Sequence, residues 1–179
     1  SENMSLFYLD IEPADLERLD NPQSVAVYAK EISDYMKETE EKYLARPNYL
    51  AKSQKDINEK MRAILIDWLI DVHLKFKLLP ETLYLTVNLI DRYLEQVPVT
   101  RQKLQLVGVA CMLIACKYEE IYSPEVKDFV YVTDKAYRRE EVLEMEGKIL
   151  SVLKFQLTTP SSFRFFERYA QLAKASEKA

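Results

Sequence analysis

The chain has 179 residues and only two glycines, Gly108 and Gly147. Average usage of roughly 7% would supply about a dozen. Glycine provides the positive-φ positions of hairpin turns and of loops that bring backbone against phosphate. Two glycines do not meet the turn requirements of a sandwich, a barrel or a dinucleotide-binding sheet. Neither GxGxxG nor GxxxxGK[ST] occurs, so phosphate-cradling loops of those types are excluded. An all-helical protein is expected.

Seven prolines, at 13, 22, 47, 80, 98, 124 and 160, punctuate the chain. Proline opens a helix or ends the one before it. Between them lie segments with helical period: residues 23–45, 56–77, 81–95, 100–118, 125–132, 138–154 and 161–175. Pro80, Pro124 and Pro160 read as first-turn prolines. Residues 1–22 are polar and acidic apart from Leu6 to Leu9, and are expected to be mobile.

Two segments are too apolar for surface helices. Leu106 to Cys116 is apolar on every side, so other helices must surround it. Residues 64–76 are nearly the same. A bundle around a central helix follows, with Gly108 explained by close helix–helix approach. Cys111 and Cys116 lie in the central run and read as buried reduced thiols, since a bare C-x4-C is no zinc site. That run is well short of the ~20 residues that span a bilayer. The net charge of −4, from 25 basic and 29 acidic side chains, argues against a broad cationic nucleic-acid surface.

Charges in apolar surroundings mark the candidate sites. On the helix from residue 56, Leu65, Trp68 and Val72 fall within about 40° of Met61, with Ile64 and Asp71 at the edge. This strip is either core or an exposed groove edged by acid, suited to a peptide with a basic and an apolar anchor. Arg62 sits in the opposite apolar arc. An unpaired buried guanidinium costs several kcal/mol, so a buried partner is expected, and Asp91 on the next helix is the candidate. Glu146 shares a stripe with Val142, Ile149, Leu150 and Leu153, and Lys117 ends the central helix beside Tyr118. Two arrangements fit these charges: they pair inside the fold, or they are partly exposed and cap backbone groups of a partner.

At these residues the sequence resembles a known family. MRAILIDWLIDVH (61–73), ETLYLTVNLIDRYL (81–94), KLQLVGVACMLIACKYEE (103–120) and SPEVKDFVYVTD (123–134) resemble the cyclin box of mitotic cyclins. VHLKF (72–76) and SPEVKDFVYVTDKAY (123–137) favour the B-type over the A-type. The resemblance covers residues 23–157. It implies a five-helix cyclin-box bundle at 56–157, preceded by an N-terminal extension (1–22) and an N-terminal helix with linker (23–55). PSSFRFFERYAQLAKA (160–175) resembles the first helix of a second box, so 158–179 is expected to be the start of an incomplete one. There Phe163, Phe166 and Tyr169 would lose their usual packing.

Cyclins are not enzymes, and the resemblance implies no cofactor and no metal. It implies an activating subunit of a cyclin-dependent serine/threonine kinase, located in the nucleus and cytoplasm and acting at mitotic entry. It would dock on the kinase αC helix and activation segment. Lys117 and Glu146 match the family residues that bond backbone beside αC. Ile114, Tyr118, Leu150, Phe155 and Leu157 match apolar contacts, and Tyr28 and Tyr35 match further contacts on the N-terminal helix. Arg62 and Asp91 match an internal ion pair. Met61, Ile64, Leu65, Trp68, Asp71, Leu104 and Gln105 match the docking groove for RxL-type peptides, with Asp71 receiving the peptide arginine. Arg62 to Leu65 and Arg101 to Leu104 spell RxxL but read as structural.

Two contrary readings fit the sequence less well. A cyclin-fold nucleic-acid-binding module of the general transcription factor kind needs clustered base, and Lys135, Arg138 and Arg139 run straight into Glu140 and Glu141. A helical enzyme is poorly served by a single histidine and no HExxH. No membrane partner is expected.

Overall fold

The computed structural model describes residues 11–176, and every described regular element is helical. Of the stretch 1–22 expected to be mobile, residues 1–10 lie outside the described residues. The helices are α1 (Pro13–Leu16), α2 (Ala29–Thr39), α3 (Tyr49–Ser53), α4 (Glu59–Phe76) and α5 (Pro80–Gln96). They continue with α6 (Leu104–Glu119), α7 (Val126–Val132), α8 (Arg139–Val152) and α9 (Ser162–Ser176).

Local chemistry sets these boundaries. Asn58 caps α4 by accepting from the Met61 amide at 3.0 Å. Lys77, at φ 54°, ends it in the left-handed conformation. Pro80 occupies the first turn of α5. Pro124 and Pro160 do not play that part: each precedes its helix, and side chains do the capping. Asp128 accepts from the Glu125 amide at 2.8 Å at α7, and Ser161 accepts from the Phe163 amide at 3.1 Å at α9.

The chain divides into two units. In the larger, Tyr43–Thr159, α6 is the central element. Leu104 and every residue from Leu106 to Cys116 are buried, and α4, α5, α7 and α8 all pack on it. The close approach of α4 is built on Gly108, where a Cβ would stand 2.8 Å from Cδ1 of Leu65. Cys111 and Cys116 are free, and burial pushes both thiols up, that of Cys116 to about 12. Among the described residues no helix is long and apolar enough to cross a membrane.

Residues 64–76 depart from expectation. Only Leu65, Leu69 and Val72 of α4 are buried, a narrow stripe at helical spacing, while Ile64 and Leu74 are 61% and 64% exposed. The helix is flanked by the bundle on one side only. Helix α3 was not foreseen. Its five residues are too few for a periodic signal, yet they place Tyr49 and Leu50 against α5. The buried Gln54 just beyond donates to the carbonyls of Leu94 (2.5 Å) and Val97 (2.7 Å) and accepts from the Val99 amide (2.9 Å). One amide thus satisfies backbone groups at the end of α5 that would otherwise be unpaired.

The smaller unit comprises the described parts of 1–42 and 160–179. The single helix expected over 23–45 is interrupted. Short 3₁₀ turns, Pro22–Ser24 and Ala26–Tyr28, flank Val25 at φ 45°, and only Ala29–Thr39 is α-helical. Ser24, Val25 and Val27 are weak helix formers, which lowers the cost of the break. α1 lies within the stretch expected to be mobile and packs on α9. The pair is fastened by Arg168, whose Nη1 donates to Asp15 at 2.6 Å with side chains 13% and 5% exposed. Phe166 and Tyr169 remain 67% and 54% exposed.

The two glycines separate by experiment. A Cβ at Gly147 meets nothing within 4 Å, so Gly147→Ala raises the unfolding free energy by about 0.5–1 kcal/mol. Gly108→Ala lowers it by about 1 kcal/mol, because overpacking of roughly 1–3 kcal/mol against Leu65 exceeds the helix-propensity gain of ~1 kcal/mol. Denaturant titration followed by circular dichroism reads both; equal shifts would contradict the close approach of α4 and α6.

Candidate functional site

The wholly apolar run of α6 ends at Cys116, and Lys117 is the first charged side chain after it. Lys117 Nζ donates to both carboxylate oxygens of Glu146 on α8, at 2.6 and 2.9 Å. The lysine side chain is 49% exposed and the glutamate 12%. The two charges pair with each other, and at the rim rather than in the interior. An exposed pair contributes at most about 1 kcal/mol to stability. What it does provide is a fixed donor and a fixed acceptor on neighbouring helices.

Apolar groups surround the pair unevenly. Tyr118 is 45% exposed, and its hydroxyl shares a 2.5 Å hydrogen bond with Thr158. Leu150 and Leu157 are half-buried against the core. Ile114, expected as a contact, is 3% exposed; it faces the interior because α6 is covered on all sides at that level. Phe155 is 70% exposed for a backbone reason. α8 ends in a Schellman-type turn, with the Phe155 amide donating to Leu150 and the Lys154 amide to Ser151. Lys154 and Phe155 sit at φ 53° and 56° without being glycine, a conformation costing roughly 1–2 kcal/mol per residue. That strain turns the phenyl ring out to solvent.

Two neighbours were not singled out from the sequence. Ile121 and Tyr122, in the loop after α6, are 89% and 92% exposed. The loop is anchored by Glu120, whose Oε1 accepts from the Leu79 amide (2.7 Å) and the Thr82 hydroxyl (2.5 Å) at the start of α5. A carboxylate there also complements the helix dipole. The sequence signal was an apolar pair between two glutamates and a Ser-Pro step, outside any helical period.

The expected peptide groove is only partly on the surface. Ile64 and Asp71 are exposed, and Met61, Trp68 and Gln105 are half-buried. Leu65 and Leu104 are each 5% exposed and belong to the core, Leu65 because it fills the space over Gly108. Tyr28 and Tyr35 belong to the smaller unit and are 52% and 59% exposed. Lys135, Arg138 and Arg139 are exposed, and Arg138 lies 3.7 Å from Glu141.

Arg62 donates from Nε and Nη2 to the two oxygens of Asp91, both at 2.6 Å. The side chains are 29% and 20% exposed, so the pair is half-buried rather than enclosed. Tyr49 completes it by donating to Asp91 Oδ1 at 2.6 Å. Hydrogen bonding to Asp91 raises the Arg62 pKa, while burial, with Asp91 second, raises that of Tyr49. The triad ties α3, α4 and α5 together.

Three comparisons bear on this arrangement. The profile of the family described as Cyclin, N-terminal domain matches residues 31–158. The chain is 53% identical over 167 residues to the G2/mitotic-specific cyclin-B of Spisula solidissima, covering 93% of this chain and 39% of that protein. It is 48% identical over 170 residues to Cyclin-B2-1 of Oryza sativa subsp. japonica, covering 95% and 40%. It therefore spans about two fifths of the length of these relatives. The X-ray structure of a viral cyclin from herpesvirus saimiri aligns with a TM-score of 0.65 at 27% identity, over 71% of this chain and 55% of that one.

The Arg62 triad is open to a double-mutant cycle. Arg62→Met alone leaves Asp91 half-buried with one neutral partner and costs about 2–3 kcal/mol. Adding Asp91→Leu costs less than the sum of the single changes, with a coupling of at least ~1 kcal/mol in denaturant titrations. Additive costs would mean that the bidentate pair contributes nothing.

Proposed function

The chain belongs to the cyclin family, and we propose that it is the regulatory, non-enzymatic subunit of a cyclin-dependent serine/threonine kinase, acting at mitotic entry in the nucleus and cytoplasm. The observation that carries this is the Lys117–Glu146 pair, held at the rim of the larger unit beside exposed Tyr118 and Phe155. Such a surface places exposed aromatic groups, a residue type enriched at interfaces, beside two charges that can fix a partner's orientation.

Kinase activation needs the αC glutamate to reach the ATP-site lysine. A partner that binds only the competent arrangement shifts the kinase towards it by its differential affinity. Moving a population from 1:99 to 99:1 takes about 5.5 kcal/mol of preference. In this reading Lys117 donates to αC-flanking carbonyls and Glu146 accepts from amides, each keeping part of its bond to the other. Phe155, Tyr118, Leu150 and Leu157 give apolar contact, and Ile121 and Tyr122 extend it. Ile114 supports the surface from beneath. No cofactor or metal enters this scheme, and neither nucleic acid nor membrane is a partner. The nucleic-acid reading is not favoured, because the basic cluster is interleaved with acid.

Substrate docking forms the second part. Ile64, Met61 and Trp68 offer an apolar strip, and exposed Asp71 suits the arginine of an RxL-type peptide.

Lys117→Ala/Glu146→Ala is expected to reduce activation of a cognate kinase on a histone-type substrate at least ~10-fold, while stability changes by less than ~1 kcal/mol. Undiminished activation by the folded double variant would overturn the site. Trp68→Ala is expected to lower phosphorylation of RxL-bearing substrates several-fold more than of RxL-free ones. Equal loss on both would make Trp68 a core residue only.

A further inference from the structure

The segment between α6 and α7 has the form of a kinase substrate. Residues 120–125 are free of helix. Its two ends are extended, with Glu120 at φ −87°, ψ 139° and Glu125 at φ −82°, ψ 160°. Ile121 and Tyr122, the most exposed large apolar side chains described, lead into half-buried Ser123. The Ser123 hydroxyl donates to the carbonyl of Pro124 at 3.2 Å, a long bond made within the loop. Pro124 follows with no amide proton, so a cleft closing over it leaves no donor unpaired. The other hydroxyl–proline step, Thr159–Pro160, lacks this setting: it follows Thr158, which is engaged with Tyr118.

We propose that Ser123 is a phosphorylation site for a proline-directed serine/threonine kinase that requires no base three residues on, where Val126 stands, and that phosphate there and kinase docking exclude each other. In the transfer, Ser123 Oγ bonds to the γ-phosphorus of ATP. The bond from that phosphorus to the β–γ bridging oxygen breaks, ADP leaves, and the hydroxyl proton passes to the modifying kinase's base. The product adds a charge of about −1.5 to −2 beside Glu119, Glu120 and Glu125. The next cation along the chain, Lys127, pairs with Glu125 at 2.9 Å. A phosphate adjoining Ile121 and Tyr122 is costly to desolvate in an apolar interface. A docked partner covering those two side chains in turn closes Ser123 to any active site. The exclusion rests on the docking reading above, whereas the acceptor assignment does not.

The test incubates the full chain with Mg-ATP and a purified proline-directed kinase of the mitogen-activated class, and maps phosphate by mass spectrometry. Wild type is expected to take one phosphate at Ser123 and Ser123→Ala none at that position. Prior binding of the cyclin-dependent kinase lowers labelling about tenfold, and the phosphorylated chain binds that kinase about tenfold more weakly, or 1.4 kcal/mol. Phosphate appearing on a free peptide of residues 117–130 but not on the folded chain would overturn the site. A phosphorylated chain that binds undiminished would overturn the exclusion. Binding that survives Lys117→Ala/Glu146→Ala would instead overturn the docking reading and leave the acceptor assignment standing.

Discussion

A helix that is apolar around its whole circumference cannot lie on a surface, and α6 sets the terms for everything packed against it. Each large apolar side chain taken from water contributes about 1.5–3 kcal/mol, and α6 buries Leu104 and the entire stretch from Leu106 to Cys116. That burial is available only if neighbours cover every side. Four helices do so, and one of them approaches closely enough that a Cβ at Gly108 would press on Leu65. The scarcity of glycine and the placing of this one have the same origin: the fold needs helices, and at one level it needs them very close.

The candidate site is a consequence of where α6 stops being apolar. Lys117 leaves the core at the rim and meets Glu146 on the helix covering that side. Further polar fasteners hold the rim in shape. Glu120 binds the start of α5, Gln54 caps its end, and Tyr49, Arg62 and Asp91 join α3, α4 and α5. Each spends a buried or half-buried polar group on a specific partner, so that the surrounding helices have one register rather than several. The strained turn at Lys154 and Phe155 is then tolerated, because the elements on either side are fixed, and it delivers an aromatic ring to solvent.

Much of the fold was legible because helical period, proline positions and one all-apolar run are local signals. The Arg62–Asp91 pair was legible because a guanidinium in an apolar arc demands a carboxylate. Depth was not. Leu65, Leu104 and Ile114 lie on the expected helices but face the core, since a period gives the face of a helix and not how far its neighbours cover it. The break at Val25 depends on a single backbone dihedral, and α3 is too short to show a period. Ile121 and Tyr122 belong to a loop, where burial follows from the path of the chain between helices and leaves no pattern in the sequence.

Hydrogen exchange of the chain, with and without a cyclin-dependent kinase, tests the central claim most directly, because it reads which backbone segments a partner covers. Slowed exchange is predicted over residues 117–122 and 146–157, with α6 between Leu106 and Cys116 already slow in the unbound chain because it is enclosed. Unchanged exchange over 117–122 and 146–157 in a complex shown to be formed, with protection confined to other surfaces, would contradict it.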